Sequence, residues 1–143
     1  MSGSPSFSTV LATCKNVAET YGYASYSGGT WNYYMALGSG APFVRKCITA
    51  LGLSKNASSS LWFSQARNEL TNHRACILNI SSYDSVTIDH SVVAYALAPY
   101  TVTTSETNVT HVNFYKIIDG DCTSGTRYAC EDSISGFFVT KIY

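Results

Sequence analysis

The stretch IDHSVVAYAL, residues 88–97, decides the fold class of this chain. From His90 onward it contains small, β-branched and aromatic residues, a composition typical of a β-strand. A second run of the same kind, HVNFYKIID, occupies residues 111–119. We expect the two runs to pair as antiparallel strands. The polar, threonine-rich segment 98–111 between them is predicted to be a mobile hairpin loop.

The register of this strand pair would bring a histidine and an acid together. With Tyr95 opposite Phe114, His90 lies opposite Asp119 at one edge of the sheet, and a shift of two residues keeps the two side chains within reach. A carboxylate beside an imidazole fixes its tautomer and favours the imidazolium, as a general base requires. The same residues also fit a purely structural interpretation, in which His90 caps a strand and Asp119 opens the turn IIDGD. The spacing alone leaves both interpretations open.

Outward from this pair, the chain divides into a helical first half and a strand-rich second half. Apolar residues recur three or four positions apart in the predicted helices. These helices are residues 8–21, 31–38, 41–53 and 56–72. Ser8 or Thr9 is the predicted N-cap of the first helix, and Gly22 ends it. Short apolar runs predict strands at residues 74–80, 90–97, 111–119, 126–130 and 136–143. Helices followed by strands indicate an α+β fold with an antiparallel sheet.

Length and composition fit a single folded domain over residues 1–143, with residues 1–8 flexible or added to the natural sequence. The chain is 45% hydrophobic and 13% charged. Its nine Lys+Arg balance nine Asp+Glu, so no basic excess suggests a nucleic-acid partner. No apolar run is long enough to span a membrane, and MSGSPSFS lacks the pattern of a signal peptide. The 11 tyrosines and abundant Ser and Thr favour a secreted or cell-surface protein.

The cysteines and the remaining histidines indicate no metal site. Five cysteines leave at least one unpaired, and no C-x-x-C motif is present. Cys122 and Cys130 bracket the turn-rich segment CTSGTRYAC, either as a disulfide or as two reduced thiols. His73 stands at a helix-to-strand junction and His111 at the start of a strand, and their spacing from His90 does not suggest a three-histidine site. We therefore expect no metal and no cofactor.

The chain from about residue 58 to the C-terminus resembles the bacterial papain-like cysteine peptidases, in the group similar to double-glycine-leader (bacteriocin-processing) peptidases. The helix LWFSQARNELTN and the strand HRACILNI precede DHSVVAYAL, which stands at the histidine motif of that group. FYKIIDGD stands at its aspartate motif, and TRYACEDSISGFFVTKIY is similar to its closing strands. The resemblance implies a papain-like fold, with N-terminal helices packed on a C-terminal twisted antiparallel sheet. It also implies His90 as the general base and Asp119 as the residue that orients it.

The resemblance further implies a cysteine nucleophile at the start of the first long helix, where the helix N-terminus lowers the pKa of a thiol. Asn16 and Gly22 match the family pattern and put Thr9, with Ser8 beside it, at the cysteine position. Neither residue is a cysteine. The nearest cysteine is Cys14, which is the candidate nucleophile.

Three interpretations of the nucleophile are open. The first helix begins at Cys14; or the domain has lost its cysteine near Ser8 or Thr9 and binds without cutting; or the sequence carries a substituted cysteine or lacks the natural start. Against the first, Cys14 shares an apolar stripe with Val10 and Val17, as a packed and inert thiol would. No Gln or Asn closely precedes Cys14 or Thr9 to serve as an oxyanion donor.

The sequence thus predicts a thiol-dependent peptidase or amide hydrolase in which Cys14, His90 and Asp119 act on a peptide or protein substrate. The alternative is a catalytically inactive papain-like domain that binds peptide or acts as a surface interaction module. A purely structural surface module is the third class compatible with this composition. The sequence does not indicate an oligomeric state.

Overall fold

A computed structural model describes the chain in five segments. These are residues 4–27, 30–33, 40–105, 108–119 and 125–143. They form α-helices and an antiparallel sheet, so the predicted α+β class is confirmed. The chain makes two compact units, Met1–Ser58 with Ile142–Tyr143 and Ser59–Lys141, called here the N-terminal and C-terminal units.

The N-terminal unit consists of two helices with a hairpin between them in the sequence. Its elements are α1 (Phe7–Thr20), β1 (Ala24–Ser27), β2 (Thr30–Tyr33) and α2 (Gly40–Ala50), and β3 (Ala57–Ser60) begins at its end. β1 and β2 pair antiparallel, so the helix predicted over residues 31–38 is wrong at residues 31–33. The remainder of that predicted helix, residues 34–39, lies outside the described residues.

Helix α1 begins earlier than the sequence pattern predicts. Ser6 is its N-cap, because the Ser6 side chain accepts a hydrogen bond from the backbone N–H of Thr9 at 3.2 Å. The predicted caps Ser8 and Thr9 are therefore helical, as is the end of the predicted flexible segment 1–8. The predicted end of α1 is confirmed, since Gly22 follows the helix with a φ of 69°.

Helices α1 and α2 of the N-terminal unit pack against each other through aromatic side chains. The Tyr23 ring, just after α1, meets the Phe43 ring edge-on with centroids 5.3 Å apart. The Lys46 ammonium of α2 lies 3.6 Å from the centroid of the Tyr21 ring. Both tyrosines follow the last residue of α1, Thr20, so these contacts join the C-terminal end of α1 to α2. Ile48 of α2 is buried in the core of this unit.

The C-terminal unit consists of one helix and most of a six-stranded sheet. Its elements are α3 (Phe63–Thr71), β4 (Cys76–Tyr83), β5 (Val86–Ser105), β6 (Asn108–Ile118), β7 (Arg127–Cys130), a 3-10 turn (Glu131–Ser133) and β8 (Ile134–Ile142). The strand order is β3-β8-β4-β5-β6-β7. The predicted helix 56–72 is wrong in its first part, because residues 57–60 form the edge strand β3. Its second part, α3, is confirmed.

The segment predicted as a loop, residues 98–111, is mostly strand. β5 and β6 pair from Val93↔Ile118 to Ser105↔Asn108, and alternating Thr, Val and Tyr side chains suit this pleated ribbon. β4 pairs with β5 only as far as Ala94, and β7 pairs with β6 only over residues 114–117. The far part of the hairpin, residues 98–105 with 108–113, is called here the β5–β6 arm, and its two strands pair only with each other in the described residues.

The core of the C-terminal unit lies between α3 and the sheet. Tyr115, Leu78 and Val139 are fully buried there. Phe63 of α3 stacks on Phe137 with ring centroids 3.6 Å apart and on Tyr115 at 6.0 Å. This apolar contact fixes the face of the sheet that α3 covers.

Two acidic side chains tie α3 to its surroundings. The buried Glu69 carboxylate accepts hydrogen bonds from Arg74 Nε at 2.6 Å and from Gln65 Nε2 at 3.0 Å. Glu131 accepts hydrogen bonds from Arg67 of α3 and from the buried Tyr115 hydroxyl. The Arg74 guanidinium holds the pKa of Glu69 below its usual range, against the opposing effect of burial. Burial, with the Glu131 hydrogen bond, raises the pKa of Tyr115, which keeps that hydroxyl a donor.

We expect Glu69→Gln to lower the free energy of unfolding by about 1–3 kcal/mol at neutral pH, because it removes a charge-assisted buried hydrogen bond. Since the pKa of Glu69 is lower folded than unfolded, its contribution is complete above the unfolded pKa and is lost as pH falls toward the folded one. Denaturant unfolding between pH 7 and pH 3 tests this. The difference in free energy of unfolding between the unmodified chain and Glu69→Gln should shrink as the pH falls. Exposed Glu19→Gln on α1 controls for loss of one charge. If the stability difference between the unmodified chain and Glu69→Gln does not depend on pH, the Glu69 charge does not stabilise the fold.

We expect Gly136→Ala to destabilise the chain more than Gly52→Ala. Both glycines have positive φ, 61° and 66°, so both substitutions impose backbone strain of about 1 kcal/mol or more. Only at Gly136 would the new Cβ meet a neighbour, the Ser81 Cβ at 3.3 Å. Ser81 belongs to β4, which is held between β5 and β8. Equal losses for the two variants in denaturant unfolding would show that the Ser81 contact is relieved at no cost.

Candidate functional site

A bulge in β5 precedes His90. Ile80 of β4 pairs with His90, and Ser82 pairs with Thr87, so two residues of β5 stand where β4 has only Ser81. Asp89, immediately before His90, has a φ of 43°, which few non-glycine residues adopt. A bulge increases the local twist and redirects the next side chain. Asp89 therefore sets the direction in which His90 leaves the strand.

The strand after His90 is held on its opposite face. Side chains alternate across a strand, so Ser91 points away from the face that carries His90 and the buried Val92. Ser91 Oγ donates to Asn79 Oδ1 at 2.8 Å, and Asn79 Nδ2 donates to the backbone carbonyl of Phe138 at 3.3 Å. These bonds connect β5, β4 and β8 directly beside the histidine.

The observed pairing of β5 with β6 differs from the predicted register. At Val93, which pairs with Ile118, the difference is two residues, and the bulge that skips Tyr95 between Ala94 and Ala96 adds a third. Phe114 therefore pairs with Ala98 instead of Tyr95. The predicted Tyr95–Phe114 pair is thus wrong.

The structure nevertheless brings His90 and Asp119 together. His90 Nε2 lies 2.9 Å from Asp119 Oδ1, and the side chains are 33% and 19% exposed. A carboxylate accepts hydrogen bonds and cannot donate them, so the proton of the neutral imidazole resides on Nε2. Within the described residues no hydrogen bond reaches Nδ1. That nitrogen is the atom of His90 that can exchange a proton with another molecule.

The His90–Asp119 pair borders an open cavity of about 550 Å³, formed entirely by the C-terminal unit. Its apolar lining consists of Ile80, Ile88, Val92, Ile117 and Ala129, and its polar lining consists of Tyr83, Thr126, Arg127 and Tyr128. Apolar walls with a few polar groups are typical of sites that bind small molecules or peptide side chains. The Tyr83 hydroxyl accepts a hydrogen bond from the Cys130 backbone N–H at 3.2 Å, which fixes one wall.

Sequence reasoning did not find Arg127 or the tyrosines of this cavity. They come from the end of β4 and from β7, strands that are remote in sequence, and the sheet order brings them to His90. Only Asp89 gave a local indication of the site. Asp tolerates positive φ better than most residues, so its presence is compatible with the bulge before His90.

The predicted nucleophile Cys14 belongs to the N-terminal unit. It is the eighth residue of α1 and half-buried, so the interpretation in which the helix begins at Cys14 is wrong. Ser8 and Thr9 occupy the first turn instead, where the favourable effect of a helix N-terminus on a thiolate is concentrated. The role of Cys14 in catalysis stays a prediction.

The described part of the C-terminal unit contains two further cysteines, Cys76 and Cys130. Burial, with the nearby Glu69 charge, raises the pKa of Cys76 to about 12. Cys130 is half-buried on β7. Cys122 lies outside the described residues, so the predicted Cys122–Cys130 disulfide does too.

The remaining histidines lie away from the His90–Asp119 pair. His73 follows α3 with a φ of 57°, and His111 Nδ1 is 3.2 Å from the Thr101 hydroxyl on the β5–β6 arm. In the part of the chain that the structure describes, no three His, Cys, Asp or Glu side chains are grouped as a metal site. Among the same residues, no helix has the length and apolar character to cross a membrane.

We expect Asp89→Val to destabilise the chain by about 1–3 kcal/mol, because a β-branched residue is strained at positive φ. Asp89→Gly is the matched control and should change the free energy of unfolding by much less, since glycine adopts this backbone freely. Long-range proton–nitrogen NMR spectra should show the Nε2–H tautomer of His90 retained in Asp89→Gly and weakened in Asp89→Val. Identical tautomer populations in both variants would contradict a role for the bulge in directing His90.

Comparison with known proteins finds no matching family model, no matching curated protein and no matching solved structure. Functional inference for this chain starts from the His90–Asp119 hydrogen bond and the cavity beside it.

Proposed function

We propose that this chain has a papain-like architecture and is a thiol-dependent hydrolase of peptide or amide bonds, with His90 as its general acid–base. The observation that carries the proposal is the His90 Nε2–Asp119 Oδ1 hydrogen bond of 2.9 Å at the edge of the cavity. A base oriented by an acid beside a binding cavity is the arrangement that acyl transfer requires. The order of histidine and aspartate motifs along the sequence supports the same class.

The reaction assigns each residue one role. Nδ1 of His90 takes the proton of the thiol that we assign to Cys14, and the thiolate adds to the substrate carbonyl. The carbon–nitrogen bond breaks as the proton on Nδ1 passes to the leaving amine, which leaves a thioester. Nδ1 then takes a proton from the attacking water, the carbon–sulfur bond breaks to release the acid, and the proton on Nδ1 returns to the sulfur to restore the thiol. Asp119 remains a carboxylate throughout and holds the ring by its Nε2–H.

A second function is favoured by the position of Cys14 inside α1. Ser8 and Thr9, not a cysteine, occupy the first turn of that helix. A papain-like domain without an activated thiol would bind a peptide in the same cavity without cleaving it, with Arg127 and Tyr128 among the groups available to it. The abundance of Tyr, Ser and Thr supports a secreted or cell-surface location, and the resemblance to bacterial peptidases supports a bacterial source.

We expect His90→Gln to lower kcat on the best fluorogenic peptide or amide substrate by about 10²–10⁴-fold, the usual contribution of a general acid–base. His73→Gln, which alters an exposed histidine outside the cavity, should leave kcat unchanged. Asp119→Asn should lower kcat at constant His90 geometry and alter the pH profile. A fully active His90→Gln variant would refute the proposed hydrolase.

Thiol labelling separates the two functions. Under the hydrolase proposal, iodoacetamide alkylates Cys14 faster than Cys47 and Cys76 at neutral pH, because the reactive species is the thiolate. The alkylation of each cysteine can be measured separately, since each of the five cysteines falls on its own tryptic peptide. If Cys14 reacts no faster than the others, the hydrolase assignment of Cys14 is rejected. Peptide binding that is lost on His90→Gln, without hydrolysis, would then establish the second function.

A further inference from the structure

Strand β7 forms one edge of the sheet and one side of the cavity beside His90. It is the last strand in the order β3-β8-β4-β5-β6-β7 and, within the described residues, it pairs with β6 alone. The outer edge of such a strand carries backbone N–H and C=O groups that can pair with another chain. Residues 126–129 all border the cavity. β7 therefore brings backbone groups to the cavity, and their direction decides what they can bind.

The hydrogen bond of Cys130 shows which residues of β7 face outward. In an antiparallel pair, residues that exchange hydrogen bonds with the partner strand alternate with residues whose N–H and C=O point away from it. The Cys130 N–H donates to the Tyr83 hydroxyl at 3.2 Å, so it points away from β6, although Cys130 pairs with Phe114. Tyr128, two residues earlier and paired with Lys116, has the same orientation. The Tyr128 N–H and C=O are therefore directed to the outer edge of β7.

The same hydrogen bond shows that the outer edge of β7 faces across the cavity. β5 and β6 lie between β4 and β7, so a flat sheet would separate β4 from β7 by three spacings of about 4.8 Å each. The Tyr83 hydroxyl at the end of β4 nevertheless reaches Cys130 of β7. The sheet thus curls. Tyr83 and Ile88, from the β4–β5 hairpin, stand on the other side of the cavity from β7.

The floor of the cavity is apolar. Ile80, Val92 and Ala129 line it and are at most 4% exposed. Because side chains alternate along a strand, the Tyr128 side chain points away from the face that carries Ala129, and it is the Tyr128 backbone that borders the cavity. A chain laid along the outer edge of β7 would turn every second side chain toward this floor.

We infer that the cavity binds its peptide as an added β-strand, hydrogen-bonded to the N–H and C=O of Tyr128 on the outer edge of β7. The inference rests on the proposed function in taking a peptide as the occupant of the cavity. An extended segment is the ligand that matches an outward N–H and C=O on one residue, and the floor favours aliphatic side chains at alternate positions. The substrate class is thus an extended, unfolded segment that is recognised mainly through its backbone.

Amide hydrogen exchange of the unmodified, unbound chain tests the direction of the Tyr128 backbone. The Tyr128 amide should exchange about tenfold faster, or more, than the amides of its two neighbours in sequence. Of these, the Ala129 N–H bonds to β6, and the Cys130 N–H donates to Tyr83. Equal protection of Tyr128 and Ala129 would overturn the inference, because the Tyr128 N–H would then not face outward.

Titration of the unmodified chain with the peptide acetyl-Val-Thr-Val-Thr-Val-Thr-amide tests the added strand. β-branched residues favour an extended backbone, and the valines supply an aliphatic side chain at every second position. We expect the Tyr128 amide to gain protection from exchange as this peptide binds, while the Ala129 amide keeps the protection it has from β6. Binding that leaves Tyr128 unprotected, or no binding at millimolar peptide, would overturn the inference.

N-methylation of the same peptide separates strand addition from binding through side chains alone. Successive residues of a strand direct their N–H groups to opposite edges, so only one alternate set can face β7. Methylating the nitrogens of all three valines, or of all three threonines, gives two matched peptides. One of them should lose affinity by about tenfold or more, and the other should retain most of it. Equal affinities of the two methylated peptides would contradict strand addition.

Two substitutions of Tyr128 give an independent readout. Tyr128→Pro removes the outward N–H without breaking the ladder to β6, since proline is tolerated where the N–H of an edge strand faces outward. Tyr128→Ala keeps that N–H and removes the side chain. Affinity for the unmethylated peptide should fall by about tenfold in Tyr128→Pro and by clearly less in Tyr128→Ala. Equal losses would show that the side chain, not the backbone, contacts the peptide.

Cleavage assays distinguish failure of this inference from failure of the proposed hydrolase. Protection of Tyr128 by the peptide, with no cleavage of any peptide or amide substrate, would keep strand addition and reject the hydrolase. Cleavage that depends on His90, with no protection of Tyr128, would keep the hydrolase and reject strand addition.

Discussion

The pairing of β5 with β6 is the constraint on which the C-terminal unit depends. β5 pairs with β4 over its first half and with β6 over its second, so its register determines what each face of the sheet contains. The bulges at Asp89 and Tyr95 enclose the short regular segment that carries His90. Between them, the buried Val92 and Ala94 are fixed in the core. The histidine therefore projects from a short regular segment that Val92 and Ala94 anchor in the core.

Burial and charge distribute reactivity unequally among the thiols. Cys47 and Cys76 are buried, and burial raises the pKa of each to about 12, so both are largely protonated at neutral pH. Cys14 is half-exposed, and it stands in the interior of α1. The proposed hydrolysis needs a thiolate near neutral pH, which the two buried thiols do not supply.

The sequence predicted helices and strands best where apolar residues followed one regular pattern. Periodic apolar residues identified α2, and the apolar runs around His90 and Asp119 identified their strands. It was least informative at residues 98–111, where threonines suggested a loop although alternation with Val and Tyr suits a strand. Residues 57–60 have weak intrinsic preference and become a strand because β8 offers a pairing edge. The bulges add single residues to one strand, so they leave no periodic signal in the sequence.

The β5–β6 arm has a further consequence for how the chain moves. Each strand of the arm has one partner, whereas β5 has two partners at Val93 and Ala94, where its ladders with β4 and β6 overlap. Separating the arm breaks one ladder and exposes little of the core around Tyr115. Amide hydrogens along the chain should therefore exchange with solvent in a graded order, those of the arm through local opening and those beside His90 only when the sheet itself opens. The same strand is thus labile at its tip and most firmly held at Val93 and Ala94.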